Sequence, residues 1–228
     1  MWAILSGIEG NLTAYEAVLE DLSESVESLY ILGDLVGIRG DSDKLIQRVQ
    51  FPYLDELEPN ICLGWWEEQC FILHGIGKTG EPTELIEQYG TEIIKTLWNA
   101  VSHESVEWLR GLDFGFVELD LLLIHGSSIS VSEALNPQTP AWLMLDRIQR
   151  MQVNQLFCGR SGQTFIYDVQ EGSLVDSVQT LDHQHTQTVS TSNKRVVGVG
   201  NVGKEFGKAT YTLYHPHNNK VEFKTVIY

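Results

Sequence analysis

Leu29-Tyr30-Ile31-Leu32-Gly33-Asp34-Leu35-Val36-Gly37 opens with a short apolar run that has no helical spacing. Such a run reads as a strand buried on both faces. It stops at Gly33, and the next residue, Asp34, is a carboxylate. In α/β domains ligands bind in the crevice beyond the carboxyl ends of the strands. Residues 3–7, 60–64, 121–126 and 155–159 are also strand-like runs that end in a glycine or a polar residue. The pattern therefore predicts five strand ends around one crevice, with Asp34 in the middle.

Between these runs the spacing predicts helices. Asn11 is a plausible N-cap, with Leu12, Tyr15, Val18, Leu19 and Leu22 on one face. Asp41 suits the cap of a short helix whose inward residues are Leu45, Ile46 and Val49. Residues 70–80 end in glycine and read as a loop. Residues 82–101 read as one long helix, 105–110 as a shorter one. Residues 114–119 and 121–124 read as adjacent strands turning near Asp120. Pro140 suits a helix first turn, with Trp142, Leu145 (or Met144), Ile148 and Met151 as its buried face. Further on come consecutive β-rich runs at 157–159, 164–169, 173–181, 195–199, 209–214 and 221–227, the last two joined by a turn at 215–219. This order predicts a single α/β domain over residues 1–228, two packed sheets flanked by helices.

A formal net charge of -16 argues against a nucleic-acid surface. It also disfavours an anionic ligand, unless a metal or a local cluster of arginines reverses the field. No stretch has the roughly 20 apolar residues of a membrane span. The first residues lack the charge and length of a signal peptide. Cys62, Cys70 and Cys158 show no metal spacing and suit reduced, buried thiols. The expected setting is the cytoplasm.

Several short motifs follow in order: Ser6-Gly-Ile-Glu-Gly-Asn11, Leu32-Gly-Asp34, Leu63-Gly-Trp-Trp-Glu67, His125-Gly-Ser127, Gly159-Arg-Ser-Gly162, and Gly200-Asn-Val-Gly203 with Ala209-Thr-Tyr211. In this order and spacing the chain resembles the calcineurin-like metallophosphoesterases, in particular their YfcE-like branch. The resemblance implies a four-layer α/β/β/α sandwich of two mixed sheets. It also implies a dinuclear metal site, whose ions would lie about 3.5–4 Å apart and act on phosphoryl oxygens.

Carried over by position, the implied site is depleted. Gly7 stands where the family has its first Asp, and Glu9 where it has the first His. Asp34 keeps the bridging position. Trp65 replaces the Asn ligand and Trp66 the His that assists catalysis. His125 is kept, while Arg160 and Gly162 replace the last two His ligands. Catalytic metal sites usually have at least three protein ligands, and a guanidinium cannot be one.

The expectation is thus a degenerate metallophosphoesterase-like protein without a metal cofactor, retained as a binding or regulatory scaffold for a small ligand or a protein partner. Arg160 is expected to pair with Asp34 or Glu9, and Trp65 and Trp66 to fill the vacated volume. The alternative is an active phosphoesterase with one Mn, Fe or Zn ion on Glu9, Asp34 and His125. A homo-oligomer or assembly subunit is a further possibility. Plainer roles stay open: Asp34 as a turn cap, His125 as a hydrogen-bonded strand-end residue, the tryptophans as core anchors, Arg160 as a surface residue. The pairs His183/His185 and His215/His217 have ligand-like spacing but lie in polar stretches, which favours solvated rings.

Overall fold

The computed structural model describes residues 1–77, 81–169 and 194–228. The expected strand at 173–181 and the pair His183/His185 lie outside the described residues. The chain begins with β1 (Trp2–Leu5), α1 (Leu12–Asp21), β2 (Ser28–Leu32), α2 (Ser42–Gln50) and β3 (Pro59–Cys62). Then come α3 (Trp65–Leu73), α4 (Thr83–Tyr89), α5 (Glu92–Ala100) and α6 (His103–Leu109). The second half holds β4 (Gly115–Glu118), β5 (Leu121–Ile124), α7 (Ala141–Gln149), β6 (Gln155–Cys158) and β7 (Thr164–Val169), then β8 (Lys194–Val199), β9 (Lys208–His215) and β10 (Lys220–Ile227).

The strands form two mixed sheets in the orders β10-β9-β1-β2-β3 and β4-β5-β6-β8-β7. Alternating side chains of each strand face opposite ways, and three apolar clusters follow from that alternation. Ile4, Tyr30 and Leu32 of the first sheet meet Leu121, Leu123, Phe157 and Val197 of the second. The outward residues Ala3, Leu5, Leu29 and Ile31 pack under Tyr15 and Val18 of α1, Leu45 of α2 and Trp65 of α3. On the far side Leu122, Ile124 and Leu156 pack under Met144 and Ile148 of α7. The layers are helix, sheet, sheet, helix, as expected.

The two expected caps are in place. Asn11 accepts a hydrogen bond from the Ala14 N–H at 3.1 Å, and Asp41 accepts one from the Lys44 N–H at 3.1 Å. The expected long helix is instead two, because Gly90 takes a left-handed φ of +82° after Tyr89. Cys70 to Leu73, expected in a loop, finish α3. On α7 Met144 and Ile148 are buried, whereas Trp142 and Met151 are exposed. No helix among the described residues is long and apolar enough to cross a membrane.

Candidate functional site at the strand ends

The crevice is built from the turn after β2. Gly33 and Asp34 are both left-handed, at φ +63° and +53°, and a Cβ at Gly33 would overlap the backbone of Gly64. That contact sets Asp34 against the first turn of α3. Gly64 is the N-cap of α3 but has no side chain to cap with. Asp34 supplies the missing acceptor: its Oδ1 accepts from the Trp66 N–H at 2.9 Å. Glu67 completes the arrangement from inside the helix. Its Oε2 accepts from the Gly64 N–H at 2.8 Å and the Asp34 N–H at 2.9 Å, and its Oε1 from the Val36 N–H at 2.9 Å. Two buried carboxylates thus converge on one helix N-terminus, where the helix dipole favours negative charge.

The second sheet contributes His125 at the end of β5. Its Nδ1 lies 2.8 Å from the Leu32 carbonyl oxygen, which can only accept, so Nδ1 carries a proton. Nε2 lies 3.3 Å from Asp34 Oδ2. Nε2 is not aligned for a hydrogen bond, so the contact is electrostatic. The Ser6 hydroxyl donates to the same Leu32 carbonyl at 2.6 Å. Gly159, following β6, packs so closely on Ser6 that a Cβ there would overlap the hydroxyl.

Burial works to raise the Asp34 carboxyl, but the His125 imidazole, the Trp66 N–H and the charge of Arg160 outweigh it and hold it below the usual carboxylate range. Burial, then the charge of Asp34, pushes Glu67 up to about 7 against the pull of its backbone donors. Glu9 is raised for the same two reasons and opposed by Arg39 and Lys204.

Arg160 does not pair with Asp34 or Glu9 as expected. Its guanidinium carbon sits 4.5 Å above the Trp65 ring, and its buried Nε has no hydrogen-bond partner among the described residues. Glu9 pairs with Arg39 instead, at 2.8 Å. The glycine-flanked loop 37–40 brings Arg39 there: a Cβ at Gly40 would overlap the Gly10 carbonyl, and one at Gly37 would come 2.8 Å from Glu9 Cβ. Trp65 and Trp66 are both buried, with ring centroids 4.9 Å apart, and Tyr89 lies 5.2 Å from Trp66. The Trp65 Nε1–H donates to Glu84 at 2.9 Å. Gly7, at φ +63°, donates its N–H to the Gly33 carbonyl, and Gly162 lies at the mouth beside Lys204.

Glu67 and Arg39 were missing from the sequence-predicted site. Glu67 has the three-residue spacing of a capping box, hidden because its cap residue is glycine. Arg39 carries no signal except the glycines on either side of it. His215 pairs with Glu222 at 2.8 Å on the β9–β10 hairpin, away from this crevice. The three cysteines are free and buried, and burial raises their thiols.

These donors do not fit a two-metal cage. Three oxygens of Asp34 and Glu67 are committed to backbone N–H groups, Glu9 is held by a guanidinium, and the remaining Asp34 oxygen faces an imidazole. Among the described residues no group of three or more His, Cys, Asp or Glu side chains is arranged to hold a metal ion.

The two mixed five-stranded sheets with flanking helices match the metallophosphoesterase fold. A metallophosphoesterase from Sphaerobacter thermophilus is similar at a TM-score of 0.67 and 19% identity, over 99% of this chain and 87% of that one. Hypothetical protein PH1004 from Pyrococcus horikoshii OT3 is similar at a TM-score of 0.73 and 21% identity, over 100% of this chain and 88% of that one. At these identities the likeness establishes the fold and not the chemistry. No family model and no curated protein matches the chain.

Proposed function

We propose that this protein keeps the metallophosphoesterase fold without dinuclear-metal phosphoester hydrolysis, and that its crevice serves as a binding or regulatory scaffold in the cytoplasm. One observation carries the reading. Asp34, at the position where the resemblance implies a bridging ligand, caps α3 through one oxygen and faces His125 through the other. A metal ion on Asp34 Oδ2 would have to displace its contact with His125, and Trp65 and Trp66 replace two residues the chemistry would need. The order of the motifs supports placement in the YfcE-like branch.

The reading is tested on protein purified without chelator from manganese-supplemented medium. Elemental analysis is expected to find well under one metal ion per chain. With added Mn²⁺, bis(4-nitrophenyl) phosphate is expected to show no turnover above the protein-free blank. One bound ion per chain, with turnover lost in Asp34→Asn, would establish the alternative of an active phosphoesterase.

A further inference from the structure

A second cavity, of about 520 Å³, opens beside Glu9. Arg39, Tyr89, Lys204, Phe206 and Asn11 are among the residues that line it. Its volume is within the range of small-molecule sites. We propose that it binds a small planar aromatic anion, its ring between Tyr89 and Phe206 and its oxyanion head between Arg39 and Lys204. The inference rests on the reading of the crevice as a binding scaffold, and names the class of ligand.

Charge gives the first reason. The protein is strongly acidic overall, yet two cations face this cavity. Arg39 engages Glu9 through Nε alone, and among the described residues its terminal nitrogens have no hydrogen-bond partner. Lys204 makes no ion pair among the described residues, although it stands close enough to act electrostatically on Glu9. Asp34 also acts on Glu9, but it is held by His125 and the first turn of α3; the charged residues that line the cavity itself are Arg39 and Lys204, the local reversal of field that an anion needs on such a protein.

The aromatic residues give the second. Phe206 is 98% exposed and Tyr89 41% exposed, so neither ring is used up by the core. Tyr89 is the last residue of α4, and its ring is tilted against that of Trp66 with centroids 5.2 Å apart. Asn11 is held firmly: it caps α1 through Oδ1 while its Nδ2 donates to the Tyr228 hydroxyl at 2.9 Å, and that hydroxyl donates to the Glu205 carbonyl at 3.3 Å. The cavity therefore has an anchored Asn11, two rings and two donors.

Titration calorimetry in excess EDTA tests this, with phenyl phosphate, benzoate, inorganic phosphate and phenol as probes. At least one aromatic anion is expected to bind about tenfold more tightly than inorganic phosphate, about 1.4 kcal/mol from the ring contacts; comparing phenyl phosphate with benzoate identifies the head. Lys204→Met is expected to weaken that anion about tenfold. Phe206→Ser, at a fully exposed position, is expected to remove the ring advantage and leave inorganic phosphate unchanged. Equal binding of aromatic anion and phosphate, binding indifferent to both variants, or no binding at millimolar probe would overturn the inference. Because metal is excluded by EDTA, these outcomes are distinct from a failure of the metal-free reading, which elemental analysis reports.

Discussion

At the residue scale the account turns on what Asp34 and Glu67 are doing. Asparagine at position 34 keeps an acceptor for the Trp66 N–H and tolerates the left-handed backbone. It loses the charge that faces His125 and the N-terminus of α3. Removing one partner from a buried pair costs about 3 kcal/mol, so Asp34→Asn is expected to lower Tm by several degrees in thermal melts at neutral pH. Arg160→Met makes the contrasting case. With a cation–π contact and a longer-range attraction to Asp34 to lose, but no hydrogen-bonded ion pair, it is expected to cost about 1–2 kcal/mol in chemical denaturation; a loss of 3 kcal/mol or more would restore the pairing with Asp34 or Glu9.

Glu67 adds a pH dependence. Its folded carboxyl is pushed from 4.5 up to about 7, so the native state holds this proton more tightly than the unfolded chain. Stability from this group is greatest below about pH 4.5 and falls as pH rises towards about 7. Glu9 is shifted in the same direction, Asp34 in the opposite one, with its contribution lost as pH falls below about 3.8. Denaturant melts from pH 5 to 8 are expected to show declining stability, and Glu67→Gln to flatten the decline. That variant also lowers stability by about 1–3 kcal/mol, since its amide nitrogen must face a backbone N–H.

At the scale of elements, the crevice depends on α3 starting against the β2 turn. A Cβ at Gly64 would overlap the Asp34 amide and crowd Glu67 Oε2 at 2.6 Å. Gly64→Ala is therefore expected to destabilise by more than about 3 kcal/mol, read from denaturant melts, or to prevent accumulation of folded protein. Gly90→Ala meets open space, but φ +82° with ψ 171° is a backbone that essentially only glycine adopts, and a loss of about 1–3 kcal/mol is expected.

Much of this level was legible. Strand runs ending in glycine located the crevice, and Asn11 and Asp41 announced two helix starts. What escaped had no local signature. Periodicity continued across residues 82–101, so Gly90 did not register as a break. The cap of α3 comes from Asp34, on another element, and a window of sequence around Gly64 does not contain it. The resemblance brought Arg160 to a carboxylate by position, while backbone packing of two glycine-rich turns brought Arg39 there instead. Trp142 fell on a face that α7 turns outward, because the helix has one sheet to cover and needs only Met144 and Ile148 to do so.

For the whole molecule, the fold and the chemistry separate. The sandwich closes on an inter-sheet apolar core that includes Ile4, Leu32, Phe157 and Val197, and the first turn of α3 supplies backbone donors to Asp34 and Glu67. On the proposed function Asp34 is a structural cap and partner of His125 rather than a metal ligand. Melting wild-type protein and Asp34→Asn in EDTA and in Mn²⁺ tests it most directly. Ligand at 100 times its Kd would add about 2.7 kcal/mol, roughly 5–10 °C in a chain of this size. The account predicts a wild-type Tm unchanged by Mn²⁺ and a variant that melts lower under both conditions. A wild-type Tm raised several degrees by Mn²⁺, with no such rise in Asp34→Asn, would contradict it.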